Sequence, residues 1–566
     1  MNEMFHEKSW LKLYDPGVPE TIAYPDVPVF HFFDEAARKY PDLPCTVFRE
    51  DAITYAQMSG LVGRLAAALV AMGVKKGDRV GLFLPNLPQF VLAYYAALKA
   101  GGVVVAMNPQ YKQRELEYQA ADAGVEVLIG LSSAYELLRA VRPHTALRTI
   151  ILTRVEDAFD MAGWAGGHAA RDSNLVASET ALAEGDRWLG EFIAGQPVEA
   201  RPEVTVTADD VAIFQYSGGT TGIPKGAIGL HRNLVANSLQ FRHWLVGLEE
   251  GRETALLAIP MYHVYGMVVG MSVSTLLGAK MVLVSDPRNL HDLLANIEKH
   301  RASFFPGVPT MYALINQNAD VQAGKYNLRS VRACISGSAP LLKEVRERFE
   351  SLSGAKLMEG YGLSEAPTAT HCNPMFGEKR GGSIGLPLPD VDCRIVSLED
   401  GATPLPPGEI GELVVCSPQV MRGYHNRLEE TEEALRGGWL HTGDIARMDE
   451  DGYFYIVDRK KELIKVSGFQ VWPREIEEVI AGHPCVLEAS AAGIPDPIRG
   501  EAPKAWVVLR PGAQVSAGEI RAWCEDALVY YKVPVEVEFL ESLPRTMVGK
   551  VLRRELVAEH LNKPGA

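Results

Sequence analysis

Residues 216–226 read Tyr-Ser-Gly-Gly-Thr-Thr-Gly-Ile-Pro-Lys-Gly, and the β-type run 211–216 (Val-Ala-Ile-Phe-Gln-Tyr) leads directly into them. After Tyr216 come Ser217, Gly218, Gly219, Thr220, Thr221, Gly222, Ile223, Pro224, Lys225 and Gly226. Three hydroxyls, four glycines and one lysine thus fall within ten residues. Glycines let a backbone turn sharply and approach a ligand closely. The N–H groups of such a turn form a nest for anionic oxygen. With hydroxyl donors and an ammonium beside them, this is equipment for a polyphosphate. It differs from the P-loop of nucleotide hydrolases, which ends in Gly-Lys-Ser/Thr at a helix start. Here the lysine sits between Pro224, which has no N–H to give, and Gly226.

On either side the chain alternates helix and strand. Apolar residues at three- and four-residue spacing predict helices over 28–40, 55–72, 89–100 and 114–123. Strands are expected at 79–84, 103–106 and 125–129, and again at 211–216, 255–259, 280–284, 302–306, 331–335 and 355–358. Residues 46–48 and 52–54 suggest a hairpin. Such alternation is the signature of a layered α/β architecture. The continuously apolar strands suit a sheet covered on both faces. Residues 156–200 carry little pattern and are taken as helix and loop around the core. From about 391 short β runs separated by Pro/Gly turns predict a small β subdomain. A final α/β unit follows, with helices at 473–480, 519–529 and 551–559 and strands at 486–491, 504–509 and 535–540.

Bulk properties agree. A chain of 566 residues is too long for one ordinary core. Its 47% hydrophobic and 22% charged residues are usual for a soluble globular protein. A net charge of −15 argues mildly against nucleic-acid binding. The seven cysteines are odd in number and scattered, so neither a disulfide framework nor a zinc site is expected, and a reducing cytosol fits. The N-terminus does not read as a signal peptide. No apolar run reaches the 18 or so residues of a membrane span. Peripheral contact with the inner membrane face stays open.

Several further patterns stand in order along the chain. They are PMYHVYG (260–266), SGSAP (336–340), GYGLSE (360–365), WLHTGD (439–444), DRKKELIKVSGFQV (458–471) and PRTMVGK (544–550). Together with 216–226 they resemble the adenylate-forming superfamily of acyl-CoA synthetases, luciferases and peptide-synthetase adenylation domains. The SGGTTG wording and the opening WLKLYDPGVPETI (10–22) are most similar to bacterial long-chain fatty acid–CoA ligases. The resemblance covers essentially the whole chain. It implies a large N-terminal domain (1–458) of α/β layers and a small β subdomain, a hinge at 459–461, and a mobile α/β C-terminal domain (462–566). It implies a fatty acid, ATP, Mg²⁺ and coenzyme A as ligands, and homodimer formation. The implied reaction has two steps. A carboxylate attacks the α-phosphorus of ATP with loss of pyrophosphate, and the thiol of CoA then displaces AMP.

Roles carry over position by position. Ser217, Gly218, Gly219, Thr220, Thr221, Gly222 and Lys225 would hold the β- and γ-phosphates, although the family often has a further hydroxyl where this chain has Tyr216. His263 would lie at the acyl carboxylate. Gly337, Ser338, Ala339, Pro340, Tyr361 and Gly362 would frame the adenine. Ser364 would hold the adenylate phosphate, and Glu365, with Thr221, would bind Mg²⁺, a hard cation suited to carboxylate and phosphate oxygen. Asp444 would accept the ribose hydroxyls and Arg459 would touch ribose or phosphate. Lys550 would bridge the carboxylate and the α-phosphate. Rotation about Lys461 would then withdraw Lys550 and bring in Lys465, with Gly468 lining the pantetheine tunnel. Peptide-synthetase chemistry is disfavoured, because PMYHVYG has no acid for a substrate ammonium. A non-catalytic nucleotide-binding scaffold would have no need of Lys225, Glu365, Asp444, Arg459 and Lys550 together. Met267 stands where some long-chain relatives carry a gating tryptophan, so medium-chain and aryl acids remain rival substrates.

Overall fold

The structure is a computed structural model and describes residues 8–167, 181–216, 224–459, 462–467, 469–497, 499–546 and 549–562. Two large sheets share one apolar layer. In the first, parallel strands run in the order Arg187–Trp188, Thr149–Thr153, Val125–Leu131, Arg79–Phe83, Val103–Ala106 and Val211–Tyr216. The strand Gly226–Leu230 closes this sheet antiparallel to Val211–Tyr216, with Tyr216 opposite Gly226. The second sheet has a parallel centre formed by Pro44–Phe48, Lys280–Leu283, Thr254–Leu257, Phe304–Gly307, Ala333–Ser336 and Lys356–Leu363. Antiparallel strands Asp51–Thr54 and Ala366–Cys372 flank it.

Alternate residues of a strand point to opposite faces, and here both faces are apolar. Val80, Leu82, Val127, Ile129 and Ile213 face the shared layer together with Leu257, Met281, Phe304, Ile335 and Met358 of the other sheet. Their alternates Phe83, Leu128 and Phe214 face an outer helical layer, as Leu256, Val282, Phe305 and Leu357 do on the far side. Between the sheets lie the helices Tyr55–Ala71 and Pro88–Lys99, the second buried along nearly its whole length. The first starts at a capping box, in which the Thr54 hydroxyl accepts the Gln57 N–H and the Gln57 side chain accepts the Thr54 N–H. This satisfies two donors that a helix start otherwise leaves unpaired.

The β subdomain read from about 391 is an antiparallel sheet of Asp392–Val396, Gly411–Cys416, Leu440–Met448 and Phe454–Arg459, with a helix, Leu428–Ala434, inserted. The last unit is a sheet of Phe469–Val471, Ile464–Val466, Gly500–Leu509, Val486–Asp496 and Glu536–Phe539. Helices Pro473–Ala481 and Ala517–Ala527 pack on one face of it and Arg553–Leu561 on the other. The fold class is as the sequence predicts. Two differences fall beside candidate site residues. The short strands Ile464–Val466 and Phe469–Val471 fall in a stretch whose charge suggests only a boundary. The strand at 355–358 continues to Leu363, so GYGLSE is a strand end and a turn. Among the described residues, no helix is long and apolar enough to cross a membrane.

That strand end depends on one glycine. A Cβ on Gly362 would lie 1.8 Å from the Thr368 carbonyl oxygen of the neighbouring strand, at a break in their register. Gly362→Ala must therefore push the paired strands apart, and overpacking of this kind costs about 1–3 kcal/mol. Urea unfolding of the variant is expected to show an earlier N-terminal transition, and an unshifted midpoint would refute the close approach.

Candidate active site

The parallel strand Ala333–Ser336 delivers residues 337–340 at its carboxyl end, the usual ligand-binding edge of an open α/β sheet. Ser338 takes a left-handed backbone (φ +71°), uncommon for a residue with a side chain. Beside this loop, Tyr265 donates its hydroxyl to the Ile335 and Gly307 carbonyls, 2.8 and 3.1 Å away. A Cβ on Gly337 would sit 3.3 Å from the Tyr265 ring. The PMYHVYG stretch is thus fastened to the same strand ends. Within it His263 accepts the Tyr265 N–H at Nδ1 (3.2 Å), which leaves the proton on Nε2. Burial lowers its pKa to about 4, so the imidazole is neutral near pH 7.

Tyr361, Asp444 and Arg459 come together from two sheets. The Tyr361 hydroxyl donates to Asp444 Oδ2 (2.5 Å), and Arg459 Nε lies 3.1 Å from Oδ1. Asp444 and Arg459 are cross-strand partners, so sheet register alone places them face to face. Each oxygen of this buried carboxylate keeps a second lone pair, which leaves room for two more donors. Burial, and next Asp444, raise the Tyr361 pKa well above the phenol value, so it remains a donor. The turn holding Asp444 is itself braced. Thr442 Oγ1 accepts the Asp444 N–H and donates to the Leu413 carbonyl, and the buried Glu412 accepts the Gly443 N–H. The sequence motif does not reveal Glu412, which arrives from a neighbouring strand.

Lys225 and Glu365 approach each other through Tyr424. The Tyr424 hydroxyl donates to Glu365 Oε1 (2.8 Å), and Lys225 Nζ stands 5.2 Å from the centre of its ring. Lys225 also lies 3.7 Å from Glu430. Ser364 and Glu365 form the turn after Leu363. Ser217, Gly218, Gly219, Thr220, Thr221 and Gly222 lie outside the described residues, as do Lys461 and Gly468.

Lys550 reaches the same place from the C-terminal unit. The Thr546 N–H donates to the Lys550 carbonyl and the Thr546 hydroxyl accepts the Lys550 N–H, which makes a closed turn. This turn faces Thr310, since a Cβ on Gly549 would lie 3.5 Å from Thr310 Oγ1. Burial, and then the nearby Arg459 charge, lower the Lys550 pKa to about 8, against the pull of Glu462 and Asp444. Lys465 is not part of this group. Its side chain is exposed, and its backbone N–H donates to Glu501.

A profile of AMP-binding enzymes matches residues 33–425, and one of the AMP-binding enzyme C-terminal domain matches 475–550. The chain belongs to the AMP-binding enzyme family. A long-chain-fatty-acid–CoA ligase of Bacillus subtilis (strain 168) is 39% identical over 98% of this chain and 99% of its own. A feruloyl-CoA synthase of an Amycolatopsis species is 35% identical over 92% of this chain and 96% of its own. The ATP-bound crystal structure of MatB from Rhodopseudomonas palustris is 29% identical over 95% of this chain and 99% of that one, with a TM-score of 0.81. The apo structure of the same protein gives 0.70. Over the whole chain the likeness is thus higher to the ATP-bound structure of that protein than to its apo structure.

An exposed lysine titrates near 10.4. Competitive labelling of Lys550 with an amine reagent is expected to show a midpoint near pH 8. Arg459→Ala is expected to move it upward, because a neighbouring positive charge is lost and Asp444 is freed. A midpoint above 10 in the unaltered protein would refute the buried placement.

Proposed function

We propose that this chain is a long-chain-fatty-acid–CoA ligase. The coarser activity, that of an AMP-forming acid–thiol ligase using ATP and CoA, follows from the family and the end-to-end likeness to CoA ligases. The finer reading rests on one observation: 39% identity to a long-chain-fatty-acid–CoA ligase along 98% of the chain. The acyl side agrees with it. PMYHVYG runs into a π-type helix, Gly266–Ser272, whose Met267, Val268, Val269 and Met271 are all buried. An acyl chain bound beside this helix would gain about 0.8 kcal/mol for each CH₂ it buries. Methionine fills irregular space and adapts to a flexible ligand.

In this reading the triphosphate lies between Lys225 with its preceding loop and Glu365. Among the described residues no group of three or more ligating side chains is gathered that could hold a metal alone. A single carboxylate at the phosphate site suits Mg²⁺, which is commonly held by one or two carboxylates and substrate phosphates. Glu365, with Thr221, would hold it, and the ion would neutralise phosphate charge. Adenine lies along Tyr361, Gly362 and 337–340, with the ribose on Asp444 and Arg459. Ser364 donates to the α-phosphate. His263 faces the acid, and its neutral imidazole places no charge beside the incoming carboxylate. Lys550, a compact movable charge, bridges the carboxylate and the α-phosphate, where negative charge redistributes as the bond forms. Lys465 and Gly468 act after the C-terminal unit, residues 462–566, has turned on the 459–461 hinge. Rigid-body turning of a domain is a common route between two catalytic states.

The feruloyl-CoA synthase likeness gives an aryl acid as the second reading. The deciding assay is AMP formation from ATP and Mg²⁺ with acids from acetate to oleate and with 4-coumarate, each with and without CoA. Turnover with C12–C18 acids that requires CoA is the expected result. Turnover with 4-coumarate alone would establish the aryl reading. Lys550→Ala is expected to lose adenylation and still convert a pre-made acyl-adenylate, and Gly468→Leu to do the reverse. Equal loss of both half-reactions in either variant would refute the two-pose assignment.

A further inference from the structure

We infer that Tyr424 is a positioning residue for the phosphate–metal end of the site, orienting Glu365 through its hydroxyl and Lys225 through its ring. The inference rests on the reading of Glu365 as the Mg²⁺ ligand.

Lys225 and Glu365 belong to different sheets. Lys225 precedes the edge strand of one, and Glu365 lies in a turn of the other. Strand pairing therefore does not set their separation. The run 422–427 crosses between them. The Ile228 N–H donates to the Gly423 carbonyl (2.9 Å), the Arg422 N–H to the Ile228 carbonyl (3.0 Å) and the His425 N–H to the Gly226 carbonyl (2.8 Å). Ala227 and Tyr424 form an antiparallel bridge, so Tyr424 is in register with the chain that carries Lys225. On the other side the Met421 N–H donates to the Glu365 backbone carbonyl (2.8 Å).

The run is fixed at further points. Thr431 Oγ1 accepts the Tyr424 N–H (2.9 Å). A Cβ on Gly423 would lie 2.6 Å from the Thr431 side chain. Arg427 donates to Asp122 Oδ1 (2.8 Å), and Asp122 Oδ2 accepts the Tyr216 hydroxyl (2.7 Å). Tyr118, on the same helix as Asp122, donates to the Pro224 carbonyl (2.8 Å). Tyr216 and Pro224, which bound residues 217–223, are thus tied to one helix, and that helix is tied to the run carrying Tyr424.

The Tyr424 hydroxyl makes the one hydrogen bond to the Glu365 carboxylate found among the described residues. With Oε1 so held, the carboxylate's rotation is restricted and Oε2 keeps its lone pairs for a ligand. Partners of this kind orient a ligating group, and their loss typically costs 10–100-fold in metal affinity. The ring gives Lys225 a second surface, at a distance where an ammonium is attracted to a π-face.

Full-length wild type, Tyr424→Phe, Tyr424→Leu, Glu365→Gln and the double variant Y424F/E365Q would be titrated with ATP by calorimetry, once with Mg²⁺ and once with EDTA. No acid or CoA is present, so no step of ligation enters. Tyr424→Phe keeps the ring and is expected to weaken Mg·ATP binding about tenfold while leaving metal-free ATP within about twofold. Tyr424→Leu is expected to weaken both. In the Glu365→Gln background the Phe substitution is expected to cost nothing more. Equal Mg·ATP affinity in wild type and Tyr424→Phe would overturn the proposal. So would a parallel loss of both nucleotide forms in Tyr424→Phe with a lowered thermal midpoint, which marks a packing residue. Wild type indifferent to Mg²⁺ would remove the metal assignment of Glu365 and this inference with it. An Mg²⁺-dependent wild type with an unaffected Tyr424→Phe would remove only Tyr424.

Discussion

A carboxylate kept away from water must be given donors, and Asp444 obtains them from two directions. Tyr361 comes from near the end of a strand of the nine-stranded sheet and Arg459 from the neighbouring strand of a four-stranded one. Losing either would leave a buried charge short of partners, at several times the worth of an ordinary hydrogen bond. The two sheets are therefore joined at this carboxylate, which is also where we propose that the ribose binds. Lys550, from a third sheet system, feels the same charges. The small C-terminal unit thus meets this junction both by the charges around Lys550 and by the approach of Gly549 to Thr310.

The junction between the units has its own polar accounting. Asp458 accepts the N–H groups of Arg459 and Arg474, and Arg474 donates to the Ile456 carbonyl. Arg553 pairs with Glu462 and Glu477 just beyond. Burial raises the Asp458 pKa to about 6, with the two N–H donors and Arg553 acting against it. A joint made of such pairs can be re-formed in a second geometry, whereas a tightly packed apolar interface resists sliding.

Much of this was legible in the sequence. The helices at 55–72 and 89–100 announce themselves by periodicity, and the buried strands by runs such as Val103–Ala106 and Val211–Tyr216. Local pattern failed where pairing is long-range. The strand Lys356–Leu363 contains Gly360 and Gly362, which lower strand propensity, yet Gly362 is required there by the approach of Thr368. The strand Ile464–Val466 has only three residues and a charged approach; it pairs with Phe469–Val471 and is joined to the larger sheet where Val466 pairs with Gly500. At the candidate site, motif wording singled out Tyr361, Asp444, Arg459 and Lys550, which the structure brings together, because residues clustered in sequence carry a recognisable pattern. Glu412, Tyr424 and Asp122 each stand in unremarkable surroundings, and their significance comes from partners 31, 59 and 94 positions away.

The strand Gly226–Leu230 ends the seven-stranded sheet, and an uncovered edge of this kind invites pairing with another chain. Residues 422–425 lie along it and occupy the Gly226 carbonyl and both the N–H and the carbonyl of Ile228. The segment that reaches Glu365 is therefore also a guard against self-association. A change that loosened it would free the edge groups of Gly226 and Ile228 for pairing with another chain.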